Sequence, residues 1–234
     1  MKSSLPEAIV SLVESAFSEM QADSEHRLSY KRRREIYNAL KENMIDYNCP
    51  SVLGWLAVIT AKHILHIFQQ TFPDDSLPQE LLDTAIRVLK RQADDKQVED
   101  ILDLGYHASG NMWGYNEDEI PWNVDMAANA TYHALLEARG QEPLKHLDDL
   151  SVLGIVDLES GQMVMEYPEP ISGEQLTDEQ LCESANSDTA ASAAIAFSCS
   201  FENTRCDPER LNTFWTWWLK EAIPEAWELA YQPE

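Results

Sequence analysis

Phe214-Trp215-Thr216-Trp217-Trp218-Leu219-Lys220-Glu221-Ala222-Ile223-Pro224-Glu225-Ala226-Trp227 holds four of the chain's seven tryptophans within thirteen residues. The residues ahead of it, Asp207-Pro208-Glu209-Arg210, predict a helix start. Asp207 can accept from orphan backbone N–H groups, and Pro208 suits the first helical position because its missing donor is not needed there. Leu211, Phe214, Trp215, Trp218, Leu219 and Ala222 then recur on one helical face, so Phe214, Trp215 and Trp218 are expected to anchor the core. Trp217 and Trp227 stand off that stripe and are the two places to look for a ligand or partner contact. Pro224 is expected to kink or end the helix, because its ring clashes with the preceding turn and supplies no hydrogen bond.

The rest of the chain reads as helix too. Few glycines and many Ala, Leu, Glu and Gln favour helix over sheet in these 234 residues, which form one expected multi-helix, all-α domain over 1–234. Ser4-Leu5-Pro6-Glu7 has the form of a capping box, followed by Ile9, Leu12, Val13, Ala16 and Phe17 at helical spacing. A second helix is predicted from about Ser29 to Tyr47, carrying Lys31-Arg32-Arg33-Arg34 in its first turns. Those cations oppose the helix dipole, so they need compensation, and the acidic second half of the chain is the nearest source. Val52 to Phe68, including Trp55, is apolar nearly all round through Ala61 and predicts a central buried helix, with the Trp215/Trp218 face packed on it. Further helices are expected over Gln79–Arg91 and Asp94–Ala108, with a loop over Ser109–Asn116. Asp125-Met126-Ala127-Ala128-Asn129-Ala130 and Asp188-Thr189-Ala190-Ala191-Ser192-Ala193 echo each other in small-residue helices that can approach closely. Between them, Val152–Leu158 and Gln162–Tyr167 around Glu159-Ser160-Gly161 fit either a short β-hairpin or a long loop within 151–170.

The formal charge of −24 is uneven. Residues 1–100 carry 12 Lys/Arg against 16 Asp/Glu, and residues 101–234 carry 5 against 25. Such a body repels nucleic acid and anionic membrane and attracts basic proteins. Cys49, Cys182, Cys199 and Cys206 form no C-x-x-C pair, which suggests neither a zinc ribbon nor a disulfide framework. The N-terminal residues lack a signal-peptide pattern, and the longest apolar run, Val52 to Thr60, is about half the length a spanning helix needs. A cytoplasmic protein with reduced thiols is expected.

Catalytic chemistry is hard to place. His63 and His66 stand at i and i+3, with His133 or His107 available from another helix as a third ligand, but no Glu-x-x-His or H-E-x-x-H pattern accompanies them; they are expected to be structural. Glu117-Asp118-Glu119, beside Trp113, Tyr115 and Trp122, has the aromatic neighbours of a glycosidase cleft without an opposing carboxylate. No Gly-x-Ser-x-Gly or phosphate-binding glycine loop is present. No metal, no cofactor and no enzymatic activity are expected, the rival readings being a small helical hydrolase or a metal-binding helical protein. The better candidates for contact with a partner protein are Trp113, Tyr115, Glu117, Asp118, Glu119 and Trp122 in one loop. Glu166, Tyr167 and Glu169 are the candidates in a second, where carboxylates meet exposed-looking aromatic or proline-rich backbone.

Gly54-Trp55-Leu56-Ala57 with nearby Lys62, the Asp-x-Ala-Ala helices at Asp125 and Asp188, and Phe214-Trp215-x-Trp217-Trp218-Leu219-x-x-Ala222-Ile223-Pro224-x-Ala226-Trp227 together resemble the bacterial immunity proteins numbered five. The likeness spans about 30 to 227, and the tryptophan block is its strongest part. It implies a mostly helical cytoplasmic protein that protects its producer by binding and blocking a cognate toxin, with no toxin contacts transferable residue by residue. Ser151–Gly173 matches nothing in that pattern.

If the Trp218 ring is core, Trp218→Ala lowers the unfolding free energy by about 3–5 kcal/mol. A near-neutral result in urea unfolding would mark the ring as an exposed binding residue instead.

Overall fold

Side-chain caps and apolar stripes start most of the helices where the sequence places them. The computed structural model describes residues 4–44, 51–110, 121–141, 156–157, 162–163, 188–199 and 206–231. Helices α1 (Glu7–Ala22), α2 (Tyr30–Glu42), α3 (Val52–Thr71), α4 (Leu77–Leu89), α5 (Asp95–Gly110) and α6 (Trp122–Ala138) come first. They are followed by α7 (Thr189–Ser198), α8 (Pro208–Trp217), a π turn (Trp218–Ala222) and α9 (Ile223–Ala230). The architecture is all-α. A two-residue antiparallel ladder sets Val156 opposite Met163 and Asp157 opposite Gln162, inside the stretch that reads as hairpin or loop.

Ser29, Ser51, Asp188 and Asp207 each cap a helix by accepting backbone N–H groups of its first turn. Ser4 does not. Pro6 occupies the cap position of α1 and offers no side-chain acceptor, so the expected capping box is not formed. Helix α2 ends at Glu42 rather than Tyr47, because the Asn43 side chain donates to the Ala39 carbonyl (2.8 Å) and supplies the end with its own cap. Helix α5 runs past Ala108 to Gly110.

Two helices share the centre. Helix α3 packs along α6, and α6 in turn receives α4 and α7. Among the described residues α3 is the one helix long and apolar enough to cross a membrane, and 72% of its apolar window is buried by its neighbours. Close approach of α3 to α6 depends on Gly54. A β-carbon there would stand 3.0 Å from the backbone Cα of Ala138 and 2.7 Å from the Leu89 side chain. The two Asp-x-Ala-Ala helices, α6 and α7, do pack together through buried alanines. Their echo is not structural, however: Asp188 is the cap preceding α7, whereas Asp125 lies inside α6, whose cap position is Pro121.

The tryptophan helix is divided between two neighbours. Trp218 is fully buried and its indole N–H donates to Thr60 Oγ1 of α3 at 3.1 Å. Trp215 turns instead toward α7 and α2, where its ring lies 5.8 Å from the Arg33 guanidinium. So only part of the expected tryptophan face reaches α3, and α9 covers much of the rest of it. Trp227, which the sequence leaves as a contact candidate, is buried to 1% exposure against Tyr231. Pro224 does not end the helix. The π turn lets the Ile223 N–H reach the Trp218 carbonyl, and the helix resumes with Pro224 in a first turn, where no donor is missed.

Arg33 is the largest polar group inside. It has 0% exposure, and its Nε donates to Asp188 Oδ2 at 3.0 Å while Nη1 donates to the Leu28 carbonyl at 3.0 Å. Arg32 pairs with Glu19 and Glu35 on the surface, each at 2.6 Å, and Arg34 donates to the Tyr30 hydroxyl. Arg32 and Arg33 are thus compensated from within the chain, Arg32 by carboxylates of the first half and Arg33 by a buried one from the acidic second half.

Arg33→Met is expected to cost about 3–5 kcal/mol, because it strands Asp188 as a buried charge. Arg33→Met combined with Asp188→Asn should recover much of that loss, since Asn keeps the helix-cap acceptor and no lone charge remains. A double-mutant cycle by urea unfolding measures both; a neutral Arg33→Met would remove the pair from this role.

Candidate functional site

An open cleft lies where α5 packs on α4. Helix α4 turns Leu81, Leu82, Ala85 and Leu89 inward, and the stripe it sets toward α5 is Glu80, Asp83, Thr84 and Arg87 at i, i+3, i+4 and i+7, with Thr84 itself buried. Helix α5 answers with Gln97, Asp100, Ile101 and Leu104 at the same spacing. These eight residues line a cleft of about 580 Å³. Its apolar floor comes from Ile101 and Leu104, its rim from Glu80, Asp83 and Asp100, with Arg87 tethered to Thr84 Oγ1 at 2.9 Å. Gly105 lets α5 seat this closely, because a β-carbon would meet Tyr132 at 2.8 Å and Leu81 at 3.0 Å.

Helix α5 buries little else. Val98 and Gly105 are buried and Ile101, Leu102 and Ala108 pack half-buried against the core, while Leu104 is 56% and Tyr106 63% exposed. Leu104, left open beside the carboxylate rim, gives the cleft the composition of a protein-contact patch with an apolar centre and a polar surround, while Tyr106 stands on another side of α5. The sequence reading missed this face. The signal lay in Leu104 and Tyr106, which are two apart and therefore cannot both belong to the inward stripe of a helix.

Most of the partner-contact candidates lie outside the described residues: Trp113, Tyr115, Glu117, Asp118 and Glu119 in 111–120, and Glu166, Tyr167 and Glu169 in 164–187. Trp122 is described. It opens α6 and packs half-buried against the core, which makes it partly structural. Residues 111–120 join the end of α5 to the start of α6, so they continue from the helix that carries Leu104 and Tyr106. The anchors Trp55, Phe214, Trp215 and Trp218 are buried.

His63 is held by stacking. Its ring lies parallel to Trp217, 3.7 Å between centroids and 13° between planes, and stacks on Phe197 from 5.7 Å. This accounts for Trp217 standing off the main stripe. Burial, with His66 adding to it, lowers the basicity of His63, and Glu221 opposes the shift. His66 reaches the His63 carbonyl at 3.1 Å. Among the described residues no three His, Cys, Asp or Glu side chains gather as metal ligands.

The model of the immunity protein Imm5 family matches residues 13–149. The chain belongs to this family. Membership identifies a non-enzymatic protein that neutralises a cognate toxin by binding it. The match begins earlier than the likeness read from the sequence, and it stops before the tryptophan block, which bears on the fold rather than on the family match. It includes Arg33, Gly54, Glu137 and the whole α4–α5 cleft; the partners of Arg33 and Glu137 on α7 lie beyond it. No curated protein matches the chain.

Two buried carboxylates set an electrostatic constraint on the Imm5 protein. Glu137, at the end of α6, accepts from both the Thr189 N–H (3.0 Å) and the Thr189 hydroxyl (2.6 Å). Burial pushes it up to about 8 against the pull of the Thr189 hydroxyl, and the charge of Asp188 adds to the rise. Asp125 is raised by burial to about 6, opposed by the Asn129 amide that donates to it at 3.0 Å. A carboxyl raised in the folded state binds its proton there more tightly than in the unfolded chain. Stability therefore rises as pH falls from about 8 toward the ordinary carboxyl range, and is lost in the opposite direction. Glu137→Gln, which keeps the acceptor without the charge, should flatten that slope between pH 8 and pH 6. Urea midpoints of the two proteins across this range provide the measurement, and parallel slopes would contradict the assignment.

Proposed function

We propose that this Imm5 protein blocks its toxin by direct stoichiometric contact, presenting a negative surface to a basic toxin domain inside the producing cell. The observation that carries this reading is the charge distribution: −24 overall, with most of the excess in residues 101–234, on a chain whose family acts by binding. Opposite potentials steer encounter and disfavour wrong partners, and exposed aromatic and aliphatic side chains supply the anchors. We place the contact on the α4–α5 cleft with Leu104 and on residues 113–122, which follow α5 in the sequence. The stretch from Glu166 to Asp178 forms a second contact region. The order of the chain supports this grouping, because residues 111–120 follow directly from the helix that carries Leu104.

The test uses the toxin candidate encoded beside this gene. Co-expression should rescue cells, and the purified pair should associate rapidly at low salt and more slowly as screening increases. Charge reversal at Asp83 and Asp100, or at Glu117, Asp118 and Glu119, should slow association by about tenfold or more. The helical fold should survive, since surface substitutions seldom cost more than about half a kcal/mol. Cell death despite co-expression, together with no complex in a pull-down, would sink the contact mechanism.

A further inference from the structure

The connection between α7 and α8 brings together two thiols that the sequence leaves apart. Cys199 ends α7, its N–H bonded to the Ile195 carbonyl at 2.9 Å, and Cys206 precedes the Asp207 cap of α8. The two ends are tied by backbone: the Asp207 N–H donates to the Ser198 carbonyl at 3.1 Å. Helix α8 also packs on α7, so both sides of the connection are held by the core. In that frame the Cys199 and Cys206 sulfurs are in direct contact, 2.6 Å apart, with residue exposures of 1% and 9%. Cys206 lines a small surface cleft with Arg27, Leu28, Ala194, Ile195, Leu211 and Trp215, which gives it the easier approach from solvent and a cation nearby.

We infer that Cys199 and Cys206 are a covalent cross-linking site, oxidised to an intramolecular disulfide by a small-molecule disulfide such as oxidised glutathione. The Cys206 thiolate attacks the oxidant's S–S bond, forming a mixed disulfide and releasing one small thiolate. The Cys199 thiolate then attacks Cys206 Sγ, forming the internal bond and expelling the second. The protein pair loses two electrons and two protons, and the oxidant takes them up as two thiols. Burial and backbone bonding hold the second thiol against the first, so ring closure outruns escape of the mixed disulfide. The bond joins the helix capped by Asp188 to the helix carrying Phe214, Trp215 and Trp217. It closes a short ring in the unfolded chain and so favours the native state.

The experiment treats the full-length native protein with oxidised glutathione, blocks remaining thiols, and maps the peptides by mass spectrometry. The expected product is a 199–206 cross-link, about 2 Da lighter than the dithiol, reversed by reductant and associated with a higher thermal midpoint. Thiol titration of the denatured product should then find two of the four cysteines reactive. Cys206→Ser should abolish both the cross-link and the shift. Cys199 and Cys206 that remain fully alkylatable in the wild-type protein, or that stop at glutathione adducts or pair with Cys49 or Cys182, would overturn the inference. The readout on the wild-type protein does not depend on the variant folding.

Discussion

The buried pair between Arg33 and Asp188 is the constraint on which much else depends. A guanidinium without solvent is costly unless its donors are used, and this one is satisfied by Asp188 and by the Leu28 carbonyl. Asp188 has a second duty, since its other oxygen accepts the Ala191 N–H at 2.6 Å and caps α7. One carboxylate therefore sets the start of α7 and docks it on α2. The neighbouring Thr189 binds Glu137 at the end of α6, so α2, α6 and α7 converge on two adjacent residues. Polar groups at a helix junction have strict geometric needs, whereas the alanine faces of α6 and α7 would tolerate sliding. The pair supplies the register that alanine packing lacks.

The tryptophan helix closes the same region from the other side. Trp215 covers Arg33, Trp218 is fixed to Thr60, and Trp217 stacks on His63, so three consecutive aromatic positions serve three different neighbours. A strictly α-helical run would carry Pro224 into a position where its missing donor matters. The π turn shifts the hydrogen-bond register by one and restores pairing at Ile223. The Arg33 guanidinium, the Trp218 indole and the Ile223 N–H thus each find their partner within the chain.

This division explains why the binding reading rests on α4 and α5. The helices around Arg33 are committed to packing on several sides, while α5 touches α4 and α6 and leaves Leu104 and Tyr106 to solvent. An immunity protein needs a rigid platform and an available face. Buried junctions provide the first, and the face proposed for the second is a helix held by a glycine contact beside a cleft rimmed by carboxylates.

Local chemistry determined what the sequence alone could show. Helical spacing of Leu211, Phe214, Trp215 and Trp218, the acceptor side chains at Ser29, Ser51 and Asp207, and the scarcity of strand-forming runs are properties of near neighbours, and they point to the all-α class and most of the helices. The basic run at Lys31–Arg34 also announced a need for acidic compensation, but not which acid would meet it. Only the tertiary structure selected Asp188 from the acidic half of the chain, gave Glu137 its Thr189 partner, divided the tryptophans among α2, α3 and α7, and placed Cys199 against Cys206. Each of those choices depends on which helices meet and at what register, and that is settled by packing between residues far apart in the chain, where spacing along the sequence carries no distance information.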